Sequence, residues 1–190
     1  MTDRVGTPPP VRRLDGRTVY RNPWMTVRED RIERADGSHG IYGVVDKPDF
    51  ALVIPAENDG FHLVEQYRYP VGDRCWEFPQ GSWSVPAGGD RSPHALAAAE
   101  LREETGLVAT RIEHLGRIHV AYGYASQGCH VFLATGLESG PTRREASEAD
   151  MVHRFVPAAE LTEMVHDGRF RDAASLAALT LLTLAKGATR

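Results

Sequence analysis

Apolar and polar residues alternate along the first half of the chain, and a helical spacing replaces the alternation only after residue 92. Segments 17–22 and 24–34 read as exposed strands, because their apolar positions recur at every second residue. Asn22-Pro23 separates them. Asp36-Gly37 predicts a hairpin turn ahead of a strand at 41–45, and Asn58-Asp59-Gly60 predicts another between strands at 51–55 and 61–69. A short strand at 75–78 ends at Pro79. Residues 80–91 then read as a loop rich in Gly, Pro and Ser.

The strongest helix follows. Ser92-Pro93 supplies a cap and a proline at the first helical position, Ala95 to Thr105 is rich in Ala, Leu and Glu, and Gly106 supplies the stop. Strands are expected at 111–120, 129–135 and 152–156, around a loop at 122–128 and a polar stretch at 136–150. A helix opens at Pro157-Ala158-Ala159-Glu160 and stops at Asp167-Gly168, and Asp172 caps a final one. Many strands with few, non-alternating helices imply an α+β fold. Nothing repeats with the period of a solenoid.

Composition narrows the class. A chain of 190 residues has room for one domain with a small accessory piece. Hydrophobic residues at 42% and charged residues at 25% are ordinary globular usage, which excludes wholesale disorder. A net charge of -4 gives no basic field for duplex DNA or anionic membrane, so no stable nucleic-acid partner is expected. Any phosphate chemistry must then rest on local cations or metal. Cys75 and Cys129 belong to no Cys/His cluster, so neither a disulfide scaffold nor a structural zinc is expected. The N-terminus, polar around Thr7-Pro8-Pro9-Pro10, has no apolar core for a secretory signal. The apolar run 173–185 falls short of the about 20 residues that a bilayer span needs. The expectation is a soluble, cytoplasmic protein without membrane association.

Chemistry concentrates in Ala99-Glu100-Leu101-Arg102-Glu103-Glu104-Thr105-Gly106-Leu107. On an α-helix, Glu100, Glu103 and Glu104 at i, i+3 and i+4 share one face. Like charges there repel, and glutamates near a helix C-terminus oppose its macrodipole. Two readings remain open on spacing alone: a solvated acidic face, or oxygen donors converging on Mg²⁺ or Mn²⁺.

The same segment resembles the Nudix box, Gly-x5-Glu-x7-Arg-Glu-U-x-Glu-Glu-x-Gly-U with U aliphatic. Glu100 to Leu107 matches its second half at every specified position. Glu77-Phe78-Pro79-Gln80-Gly81 looks like the strand and loop that lead into it. The box departs from the pattern in its first half. Ala99 replaces the arginine, Gly81 lies four residues early, and Arg91 stands where the early Glu belongs, with Asp90 the nearest acid. In the family the box arginine ties the helix to neighbouring carboxylates. Arg91 reaching back to Glu103 is one substitute; a solvated Arg91 beside a packed Ala99 is the other.

Similarity runs from about Val19 to Leu182. Tyr20-Arg21-Asn22-Pro23-Trp24, Gln66-Tyr67-Arg68-Tyr69-Pro70, Asp167-Gly168 and Asp172-Ala173-Ala174-Ser175, in that order, resemble the ADP-ribose pyrophosphatase branch. The resemblance implies a Nudix α/β/α sandwich with a mixed sheet and a small N-terminal antiparallel β-subdomain, often exchanged across a homodimer. The corresponding division is a flexible tail at 1–16, a subdomain for dimerisation and base contact at 17–47, and a hydrolase domain at 48–190.

It also implies roles. Glu100 and Glu104 match the metal-ligating carboxylates, Gln80 a backbone-carbonyl ligand, and Glu103 the third box acid. Glu148, then Glu145, are candidates for the further acid that the family's late loop supplies to handle the attacking water. A solvated acidic loop is the plainer reading of both. Arg68 matches an arginine facing the pyrophosphate; its alternative is a strand-edge charge paired with Glu65 or Asp73. Trp24 and Tyr20 are candidates to stack a base, Tyr122 and Tyr124 to reach the distal group, and Glu77 joins the substrate-binding set. Packing is the alternative for the aromatics.

The implied reaction is Mg²⁺-dependent hydrolysis of a phosphoanhydride in a nucleoside diphosphate linked to another moiety, with ADP-ribose the first choice and Mn²⁺ a substitute. Phe78-Pro79-Gln80-Gly81 also resembles hydrolases of dinucleoside polyphosphates and RNA 5′ ends. A nucleotide-sensing module that binds without turnover is the third reading, favoured by Ala99 and opposed by the complete set of box glutamates.

Overall fold

The computed structural model describes residues 9–83, 92–140 and 150–187. These fall into two compact units, residues 1–48 with 121–127, and residues 49–120 with 128–190.

The first unit is a three-stranded antiparallel sheet in the order β1 (Val11–Arg21), β2 (Thr26–Arg34), β3 (His39–Asp46). β1 starts earlier than its composition suggests. Cross-strand ion pairs Arg12–Glu33 and Arg31–Asp15 continue the ladder into the stretch expected as a tail, so residues 11–16 are strand. Asn22 turns the chain into β2, its Oδ1 accepting from the N–H groups of Trp24 at 2.9 Å and Met25 at 2.8 Å. Residues 121–127 join this unit through a Val45–Ala125 bridge and a hydrogen bond from Tyr42 Oη to the Gly123 carbonyl at 2.7 Å.

The second unit is built on a seven-stranded mixed sheet. Its strands are β4 (Phe50–Glu57), β5 (Gly60–Arg68), β6 (Asp73–Glu77), β7 (Gln80–Gly81), β8 (Leu107–His119), β9 (Gly128–Ser139) and β10 (Val152–Pro157). The main path is β10-β5-β4-β9-β8, with β6 on β5 and β7 on β4; β4 and β9 run parallel, and the other pairs antiparallel. Asn58, at φ +51°, turns β4 into β5 where Asn58-Asp59-Gly60 predicts a hairpin.

Alternation along β4 serves two cores. Ala51 and Val53 pack with Leu96, Ala97 and Leu101 of the helical segment on one face. Leu52 and Ile54 pack on the other against helices α2 (Ala158–His166) and α3 (Ala173–Gly187), through Leu161, Met164 and Leu182. Helices on both faces of a mixed sheet make the expected α/β/α sandwich. Among the described residues, no helix is long and apolar enough to cross a membrane.

The carboxylate helix differs from the single α-helix predicted. Ser92 caps α1 (Pro93–Glu100), with its Oγ accepting from Ala95 N, but Leu101–Thr105 forms a π-helical turn that ends at Gly106 with φ +76°. The Thr105 hydroxyl takes the Leu101 carbonyl and accepts from Leu107 N at 3.1 Å, so a side chain enters the helical ladder where it widens.

Candidate active site

The π turn sets the site. It carries more residues per turn than an α-helix, so i, i+3 and i+4 no longer flank one line equally. Glu100 and Glu104 are buried, at 9% and 1% exposed, while Glu103 is half-buried. Burial thus distinguishes Glu103 from Glu100 and Glu104, the two acids at the metal-ligating positions of the box. Among the described residues, no group of three or more His, Cys, Asp and Glu side chains is gathered as a cation cage.

Gln80 and Gly81 meet the two buried glutamates. Gln80 N donates to Glu104 Oε2 at 3.3 Å. The Glu100 carboxylate lies over Gly81, where a Cβ would stand 2.4 Å from Oε1 and 2.6 Å from Oε2. Only a residue without a side chain permits that approach. β7 pairs with β4 at Leu52–Gln80 and Ala51–Gly81, which fixes this backbone on the sheet. Two carboxylates beside a half-buried stretch of peptide are an all-oxygen donor set, the chemistry that hard divalent cations select. The residues fit such an ion: Glu100, Glu104 and the Gln80 carbonyl would hold it.

A second group stands on β5 and β6. Glu77, 2% exposed, accepts from Gln66 Nε2 at 2.8 Å and from Arg68 Nε at 3.1 Å, and Arg68 Nη2 closes on its other oxygen. Burial pushes the Glu77 carboxyl above the ordinary glutamate range, against the pull of the Arg68 guanidinium. The alternative partners expected for Arg68 are engaged elsewhere: Glu65 pairs with Arg74, and Asp73 with Arg171. Gln66 was missed as a member of this group. Its signal is strand period two, which puts it on the same face as Arg68.

Asp172 also belongs here, beyond its expected role as a helix cap. Its Oδ2 accepts from Ser175 N at 2.9 Å and from Gln80 Nε2 at 3.2 Å. Cys129 is no nucleophile, since burial pushes its thiol up to about 12. Trp24 sits in the first unit at 71% exposed. Glu145, Glu148, Asp90 and Arg91 lie outside the described residues.

Comparison with known proteins shows the family and the fold. Residues 46–179 match the NUDIX domain, and residues 11–45 match the nucleoside diphosphate sugar hydrolase N-terminal domain. An ADP-ribose pyrophosphatase of Mycobacterium tuberculosis is 33% identical over 166 residues, covering 86% of this chain and 79% of that protein. A methanol dehydrogenase activator of Bacillus methanolicus is 29% identical, covering 87% and 89%, and an ADP-ribose pyrophosphatase of Bacillus subtilis is 26% identical, covering 80% and 82%. A solved structure described as an ADP compounds hydrolase superposes with a TM-score of 0.83 at 20% identity, covering 97% of this chain and 98% of that one, which shows the shared fold. Nudix hydrolases generally use a divalent metal ion. With residues 46–179 matched to the family's domain and two of its box glutamates buried, this chain belongs to the Nudix hydrolase family as an ADP-ribose pyrophosphatase-like pyrophosphohydrolase.

Proposed function

We propose that the chain hydrolyses the pyrophosphate of ADP-ribose to AMP and ribose 5-phosphate, with Mg²⁺ held by Glu100, Glu104 and the Gln80 carbonyl. The observation that carries this reading is the pair of buried glutamates packed against Gln80 and Gly81. A bound divalent cation supplies Lewis-acid polarisation of the phosphate oxygens and makes water more acidic.

The protein's own groups supply the rest. Arg68 offers a guanidinium to the diphosphate, and Glu77 with Gln66 holds the β5–β6 face on which it stands. Water attacks one phosphorus, a new P–O bond forms, and the bridging P–O bond breaks. Glu148, or Glu145 in its place, takes the proton from the attacking water. Glu103 is the third acid of the box and acts beside them. Trp24 is proposed as a base contact.

We also propose a homodimer formed through the first unit. β1 is exposed along its whole length and shows Val11, Leu14, Val19 and Tyr20 to solvent.

The test is a substrate panel of ADP-ribose, GDP-mannose, NADH and diadenosine polyphosphates with Mg²⁺, read by released phosphomonoester. Preference for ADP-ribose supports the proposal. Preference for diadenosine polyphosphates favours the rival hydrolase reading, and binding without turnover favours a sensing module.

A further inference from the structure

The backbone that meets the buried glutamates is held at three of its polar groups. Phe78 N donates to Ser175 Oγ at 3.0 Å, the Pro79 carbonyl accepts from Val53 N at 3.0 Å, and Gln80 N donates to Glu104. Pro79 has no N–H to satisfy. Two of the groups acting on this span come from the start of α3, the C-terminal helix: Asp172 from its cap and Ser175 from its first turn.

Asp172 does two things with one oxygen. Its Oδ2 caps α3 through Ser175 N, and the same atom accepts from Gln80 Nε2. Ser175 is fully buried, and its hydroxyl takes the Phe78 N–H that β6 leaves behind as it ends at Glu77. The end of the helix is thus fastened to the span at two points, Phe78 and Gln80. Asp172 also lies close enough for its charge to favour the protonated forms of Glu77 and Cys129.

We propose that Asp172 is a positioning residue for the cation site: by gripping the Gln80 side chain from the start of α3, it fixes how the Gln80 peptide is presented between the cation and Glu104. This rests on the reading of Glu100, Glu104 and the Gln80 carbonyl as the cation's ligands. Groups that hold ligands in place without touching the metal set its affinity about as strongly as the ligands' own neighbours allow, on the order of 10–100-fold.

Asp172→Ser keeps a good helix cap but is too short to reach Gln80 Nε2. Asp172→Asn keeps both the cap and the acceptor. Gln80→Ala removes the amide alone and leaves the backbone N–H and carbonyl in place. Mn²⁺ binding to the full chain, followed by electron paramagnetic resonance, reads the site without turnover, and thermal melts check that each variant is folded.

Asp172→Ser and Gln80→Ala should each weaken Mn²⁺ binding by about tenfold. The double variant should lose no more than either single one, because both break the same bond. Asp172→Asn should bind close to wild type, and the Mg²⁺ concentration for half-maximal ADP-ribose hydrolysis should follow the same order. Wild-type Mn²⁺ affinity in folded Asp172→Ser, or losses that add in the double variant, overturns the proposal. A wild-type protein that binds no Mn²⁺ overturns the ligand reading beneath it.

Discussion

Arg68 and Glu77 stand on one face of the β5–β6 pair, four register positions apart, and the guanidinium grips both carboxylate oxygens. The residue directly across from Arg68 is Asp73, whose carboxylate turns instead to Arg171. The buried member of this ion pair is the acid, with Arg68 side chain 39% exposed and Glu77 3%. Desolvation therefore falls mainly on Glu77.

That asymmetry predicts a pH dependence. The folded-state pKa of Glu77 lies above its ordinary value of 4.5, so the folded protein holds a proton that the unfolded chain releases. The stability this contributes is complete below 4.5 and is lost as pH rises through the folded pKa. Glu77→Gln should flatten this slope, and Arg68→Met should move it to higher pH by removing the cation that opposes burial. Melting temperature measured across pH 4 to 8 on the three proteins checks it.

Gly81→Ala should separate site geometry from stability. The new Cβ meets the end of a side chain, the Glu100 carboxylate, and not backbone, so the fold gives way cheaply while the carboxylate has to move. The expected cost is below ~1 kcal/mol of stability. The Mg²⁺ requirement should rise and turnover fall. Unchanged kinetics would place the Glu100 carboxylate outside the chemistry.

Glu104→Gln preserves shape and an acceptor for Gln80 N while removing the charge. Turnover should drop by ~10²–10⁴ with the circular dichroism spectrum unchanged. Full activity in this variant or in excess chelator would refute a metal-dependent reaction.

The first unit should carry the dimer. A three-stranded sheet with one fully exposed strand gains from a partner surface. Light scattering at micromolar concentration should give twice the chain mass of 21.0 kDa, and Val19→Glu with Leu14→Glu should give the monomer. A wild-type monomer with full activity would contradict the proposal.

Much of the second unit was legible because its signals are local. Asn58-Asp59-Gly60 marks a turn by the backbone angles its residues tolerate, and Ser92-Pro93 with Gly106 brackets the carboxylate helix by capping chemistry. Strand alternation located β4 and β5, and box spacing singled out Glu100, Glu103 and Glu104.

Helical register was less secure. Spacing placed those three acids equally, whereas the structure buries Glu100 and Glu104 and leaves Glu103 half-buried, on a π turn where the Thr105 hydroxyl meets the Leu101 carbonyl. By itself, the sequence determined which segment groups the acids proposed for chemistry and where the chain turns, since both depend on neighbours within a few positions. Only the tertiary structure decided that Arg68 closes on Glu77 and that Asp172 meets Gln80 across 92 residues of chain. Such pairings follow from strand order and register, as in the parallel joining of β4 to β9, which no local pattern encodes.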